Sequence, residues 1–201
     1  MCKQFKPNFR MRKSILTLLL VVVIVSIQSC SDDDNEGTTT QLAIGDFHEG
    51  GVIFYLDATG EHGLISSVAN QGFNIEWGCL DAVDFGANGL EIGTGAQNTI
   101  DILDRCDTQN IAADLCDTYE NDSFDDWFLP SKNELDALYQ NYEIVNDTAL
   151  DNAGDTFGNS EYWSSSHDAS NTVWTQYFTS SGNTNSDFKN GEHYVRAIRS
   201  F

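Results

Sequence analysis

Gly50-Gly-Val-Ile-Phe-Tyr-Leu56, then a turn carrying Gly60 and Gly63, then Leu64-Ile-Ser-Ser-Val68, is where the fold begins to show. The first run is short, apolar, β-branched and aromatic, and is bounded by Gly50-Gly51 and Asp57, so it predicts a buried strand. The second predicts the return arm of a hairpin. Further along, the glycine-rich stretch from Gly86 to Gly95 reads as loop. Asn98 predicts the cap of a helix through Arg105, with Asp101 in the first turn, where the dipole favours an anion. Asn110 predicts the cap of a second helix, Ile111 to Tyr119. Ser131-Lys-Asn-Glu134, just after Pro130, is a capping box, and Leu135, Leu138, Tyr139 and Tyr142 share the face behind it. After Asn146 the pattern returns to short β segments: Tyr162-Trp163, Val173 to Phe178 and Tyr194 to Ile198. The expected domain is α+β, with mixed or antiparallel short strands, two or three helices and its termini paired in one sheet.

The chain has 201 residues and a formal charge of −21, from ten Lys plus Arg against 31 Asp plus Glu. Five of those cations (Lys3, Lys6, Arg10, Arg12, Lys13) precede the first acid, Asp32. Without them five cations face 31 acids, a formal −26. Phosphate and sulfate binding needs a basic footprint, so nucleic acid is excluded as a partner class. The basic start leads into an apolar stretch, Ile15 to Ile27, about 20 Å long as a helix at ~1.5 Å per residue. That is too short to span a hydrocarbon core of ~30 Å and reads as the core of a signal peptide. Ile27-Gln-Ser-Cys30 follows and resembles the bacterial lipobox, whose cysteine becomes the lipidated first residue of the mature chain. The expected organisation is a signal peptide over 1–29, an acidic flexible tether over 30–41 and one folded domain over 42–201. Asp32-Asp-Asp34 directly after Cys30 resembles a surface-export signal. The expected location is therefore the outer membrane, lipid-anchored and exposed at the cell surface, with a periplasmic spacer as the alternative.

Several short segments occur together in the order of one known family. They are Gly50-Gly-Val-Ile-Phe-Tyr55, Gly60-Glu-His-Gly-Leu64, Trp77-Gly-Cys79, Ile92-Gly-Thr-Gly95, Asn98-Thr99, Ala112-Ala113, Asp126-Trp-Phe-Leu-Pro-Ser131, Glu134-Leu135, Tyr162-Trp-Ser-Ser-Ser166 and Val195-Arg-Ala-Ile-Arg199. The set resembles the domain of unknown function numbered 1566, also called the Lcl C-terminal domain after collagen-like adhesins that carry it. The resemblance implies a C-type lectin-like fold, with paired terminal strands and two helices flanking a loop-rich ligand face. Trp127, Leu129 and Trp163 are expected in the core, and Arg196 and Arg199 against carboxylates such as Asp125 or Asp126. Three cysteines remain in the domain. Cys116 sits on a face that looks buried, and the residues leave Cys79–Cys106 and Cys106–Cys116 both open as pairings. Family members carry Cys79 and Cys106 together, which implies the first.

No reaction chemistry stands out. The four histidines (His48, His62, His167, His193) lack zinc-type spacing. Ser165-Ser-His-Asp168 gathers triad residue types without a nucleophile elbow. Neither a catalytic residue nor a metal ligand is assigned, and an enzyme is not expected. Calcium would favour the acidic stretch Asp151 to Glu161, yet Ala153 stands where a second ligand should; no resident cofactor is expected, with calcium as the alternative. The loops His167 to Thr172 and Thr179 to Gly191 are the expected ligand face, with Asn171, Asn183, Asn185 and Asp187 as ligand-binding candidates. The expected function is adhesion or glycan recognition by a surface-anchored lipoprotein without catalysis. The alternative is a structural or assembly lipoprotein with protein partners only.

Overall fold

The stretch quoted first is a hairpin. In a computed structural model of the chain, which describes residues 41–80, 86–121 and 123–201, Gly51–Leu56 (β2) pairs antiparallel with Gly63–Ser67 (β3). Before it comes Phe47–His48 (β1), and after it Gly72–Glu76 (β4), Gly95–Leu103 (α1), Ala112–Asp117 (α2), Lys132–Gln140 (α3) and Tyr142–Asp151 (α4). Glu161–Ala169 (β5), Thr172–Tyr177 (β6), Thr184–Phe188 (β7), Glu192–Val195 (β8) and Ile198–Ser200 (β9) complete the described elements. The signal segment 1–29, the lipidation site Cys30 and the tether as far as residue 40 lie outside the described residues.

One sheet has the order β1-β2-β3-β9, so the first and last strands are the two edges of a single sheet. A second has the order β4-β8-β5-β6-β7, antiparallel except where β5 meets β8 through the single pair Tyr162↔Tyr194. The fold is thus α+β with two sheets of short strands, as expected; the terminal strands share one sheet but are not paired with each other, because the β2–β3 hairpin lies between them, β1 bonding to β2 and β9 to β3. Four helices are described where two or three were expected.

The apolar run of β2 is continuous because both faces of its sheet are covered. Val52 and Phe54 enter a core cluster with Leu135, Leu138, Tyr162 and Phe178. Ile53 points the other way, to Trp77, Trp127, Trp163 and Ile102. Trp127, Leu129 and Trp163 are buried as expected, and truncating either tryptophan would cost about 3–5 kcal/mol. Cys79–Cys106 is the disulfide and Cys116 is a free, buried thiol. The bridge ties the chain after Trp77 to the end of α1.

Three helix readings need correction. Helix α1 starts at Gly95, not Asn98, and Asn98 is buried inside it, its amide donating to the Gly89 carbonyl (2.7 Å) and accepting from Gly89 N–H (3.1 Å). A side chain engaged with a loop cannot also cap a helix. Helix α2 starts after Ile111, with Asn110 in the left-handed region (φ +61°) rather than serving as the cap. The segment after Tyr142, read as leaving helix near Asn146, continues as α4. Tertiary bonds hold it: the Asn141 amide donates to Phe54 O (3.0 Å), Thr148 Oγ1 donates to Gly45 O (2.7 Å) and Asn146 Oδ1 accepts from Phe157 N–H (2.7 Å). The Ser131–Glu134 capping box of α3 is formed as predicted.

Candidate functional site

Residues from several of the motifs meet in a buried polar junction beneath the loop before α1. Ser166 Oγ donates to Gly89 O (2.6 Å) and accepts from Lys132 N–H (2.9 Å). Glu134 Oε1 accepts from Gly93 N–H and Oε2 from Ser131 N–H, each at 2.7 Å, while Ser131 Oγ donates to Glu91 O (2.9 Å). Burial pushes the Glu134 carboxyl above its ordinary value, against the pull of these N–H donors. Thr99 Oγ1 donates to Gly95 O and accepts from Leu129 N–H (3.0 Å). Ser165 Oγ accepts from the Asn98 amide (3.2 Å), so Ser165 and Ser166 are both spent on structure, and the His167 ring packs on Trp77 with centroids 5.4 Å apart. The residue types of a triad here brace a loop against a helix start.

The arginines divide. Arg199 grips Asp126 (2.5 and 3.0 Å) and Glu49 (2.8 Å); burial alone would lower its pKa, but these partners hold it above the ordinary value. Arg196 corrects the expectation of a carboxylate partner: its guanidinium donates to the carbonyls of Ser67 (2.8 Å) and Asp155 (3.0 Å) and lies over Phe157. Burial lowers it to about 10.

The expected ligand residues sit on the β6–β7 hairpin. The stretch Thr179 to Gly191, read as loop, contains β7, and the chain from His167 is strand as far as Ala169. The register Thr175↔Asn185 and Val173↔Asp187 turns Asn185 and Asp187 to one face. Asn171 and Asn183 mark opposite ends of the hairpin, where their backbone carbonyls accept from Lys189 N–H and Tyr177 N–H. About six residues separate the two positions, roughly 20 Å at ~3.3 Å per residue, so they do not share a small ligand with the central pair.

Around Asn185 and Asp187 the structure adds three residues that sequence reading did not assign to this face, His193, Glu161 and Thr175. His193 Nε2 lies 2.8 Å from Asp187 Oδ2, and its Nδ1 lies 3.8 Å from Glu161 Oε2. Glu161 Oε1 accepts from Thr175 Oγ1 (2.5 Å) and from the Asn185 amide (3.3 Å). The His193 ring stands edge-on to Trp163, with centroids 4.4 Å apart. The turn that permits this needs glycine: a Cβ at Gly191 would lie 2.5 Å from Asp187 Oδ2. His193 and Glu161 are only 13% and 16% exposed and Asp187 40%, so the cluster is a braced surface with one open side. It offers an amide, two carboxylates and an imidazole in fixed positions. The one hydroxyl bonded to it, Thr175, is buried. Among the described residues no group of three or more His, Cys, Asp or Glu is placed to hold a metal ion.

Residues 71–199 match the Lcl C-terminal domain family. The match takes in the disulfide, the polar junction and the whole face carrying Asn185, Asp187 and His193. No curated protein matches the chain.

Proposed function

This chain belongs to the Lcl C-terminal domain family, and we propose that it is a lipoprotein anchored through Cys30 at the outer surface, whose domain recognises a glycan without catalysis. The observation that carries the reading is the braced polar face: Asn185, Asp187, His193 and Glu161 are held by one another on strands, while Asn98, Thr99, Ser131, Glu134, Ser165 and Ser166 of the motifs are consumed inside. Rigid, partly exposed amides and carboxylates hydrogen-bond sugar hydroxyls with little ordering cost. A C-type lectin-like topology fits the presence of the first and last strands in one sheet, as its two edges, with helices beside it. The hydroxyl nearest the His193 carboxylate pair is buried, which supports binding over turnover. The anchor reading rests on Ile27-Gln-Ser-Cys30 and the acidic run behind it.

A glycan array probed with the full chain tests the reading, with Asn185→Ala and Asp187→Ala as companions. We expect selective binding to uncharged glycans, reduced at least tenfold by either substitution. A blank array with a folded chain would move the function to assembly with protein partners. Cys30→Ala should leave the detergent phase in phase partitioning; a substituted chain that still partitions with detergent would remove the lipid anchor from the proposal.

A further inference from the structure

A second surface, on the other side of β8, has a different chemistry. Glu192 and Tyr194 share one face of β8, opposite to that of His193. On this face Phe73 of β4 stands 67% exposed, its ring 6.3 Å from that of Tyr194 at 38°. A bulge between Gly72 and Ile75, with Asn74 at φ +56°, turns Phe73 outward; bulges next to functional surfaces commonly re-aim a side chain in this way. The two rings, with Asn70, Gln71 and Asp155, line a cleft of about 500 Å³. Two residues along, Glu76 and Glu192 face each other directly across the β4–β8 ladder, both exposed. Like charges in that position are destabilising, and among the described residues neither glutamate has a cation within salt-bridge distance.

The molecule's own cations show what such a surface accepts. Lys132 lies over Trp174 (5.1 Å), Lys189 over Trp77 (5.5 Å), Arg196 over Phe157 (4.2 Å) and Arg199 over Phe124 (4.1 Å). Four of the five cations in the domain are paired with rings. Phe73, exposed, and Tyr194, half-buried, offer ring faces over which no cation lies among the described residues, with Asp155 on one side and Glu76 and Glu192 on the other. Arg196, bonded to the Asp155 carbonyl, offsets part of the Asp155 charge, which leaves the two glutamates as the uncompensated end.

We infer that this cleft docks a basic segment of a partner protein, seating an arginine or lysine over Phe73 and Tyr194 with its charge facing Glu76 and Glu192. Charge complementarity selects the occupant: a second copy of the chain would bring the same acids, and a phosphate or sulfate polymer would be repelled. The surface is separate from the Asn185–Asp187 face and does not depend on the glycan reading.

The test is fluorescence anisotropy with the full chain and a labelled peptide of four Gly-Arg repeats, against a matched Gly-Gln peptide, at physiological salt. We expect binding of the arginine peptide alone. Phe73→Ser and the pair Glu76→Gln with Glu192→Gln should each weaken it at least fivefold, and Phe73→Tyr should restore it to within twofold. Glu143→Gln with Asp147→Gln on α4 removes the same charge elsewhere and should change it less than twofold, as should Asp187→Ala. Equal losses from both charge pairs, an unaffected Phe73→Ser chain, or no arginine binding by the unmodified chain would each overturn the proposal. Thermal melting guards the comparison, because removing opposed glutamates should leave the melting temperature unchanged or higher.

Discussion

A methyl group added at Gly95 would collide with Glu134 Oε2 and fall 2.9 Å from the Leu129 carbonyl. Neither neighbour can retreat, since one is locked into the α3 cap and the other is backbone. Gly95→Ala should therefore cost about 2–3 kcal/mol, within the usual range for overpacking, as read by urea denaturation; a loss under about 0.5 kcal/mol would show that the junction is looser than its distances imply. At Cys79–Cys106 the expectation is a loss of ~3 kcal/mol for the double serine variant on loop-closure grounds. Cys116→Ala should act differently, as a small buried-volume change. Burial also raises the Cys116 thiol well above its ordinary pKa, so it should stay unreactive toward thiol reagents until the chain unfolds.

At the scale of elements, α3 makes a pH-dependent prediction. The folded chain holds the Glu134 carboxyl at a raised pKa, so it takes up that proton before the unfolded chain does. The stability this supplies is fully present below the unfolded value of about 4.5 and is lost as pH rises through the folded one. The stability difference between the native chain and Glu134→Gln, followed by denaturation from pH 4 to pH 7, should shrink on rising; a flat or growing difference would contradict the raised pKa. The same helix shows what a sequence can disclose. Its capping box is local, and so are the apolar runs of β2 and β3, and all three were legible. Helix α4 was not, because only Val145 and Ala149 are fully buried and its stability comes from bonds to Phe54, Gly45 and Phe157 outside the helix. Strand β7 reads Thr-Asn-Ser-Asp-Phe, turn chemistry by composition, and becomes strand only because β6 offers it a ladder. That pairing is also why Glu161, Thr175 and His193 stayed hidden while Asn185 and Asp187 did not: their convergence depends on register, which the amino-acid pattern of β7 does not encode.

For the molecule as a whole, charge governs what can approach. Among the described residues Lys189, Arg196 and Arg199 are buried and Lys132 is laid against Trp174, so that of the domain's five cations only Arg105 is exposed, in a chain carrying 31 acids. Heparin and duplex DNA should show no retention of the full chain at physiological salt, where repulsion still acts over a Debye length of ~8 Å. Salt-sensitive submicromolar binding to either would mean that the surface carries a basic patch after all. The two edges of the first sheet carry a further, mechanical consequence. Chain entering at Gln41 is held first by Leu42 and Ile44, packed on the core, and by the bonds of Gly45 and Asp46 to Ile53 and Thr148. Then comes β1, an edge strand of two residues, so tension from that end meets a series of small attachments before any long ladder. The next resistance is the β2–β3 hairpin, buried on both faces. A domain pulled from its leading end should thus give way in small steps and then stiffen at the hairpin, while the face carrying Asp187 keeps its shape.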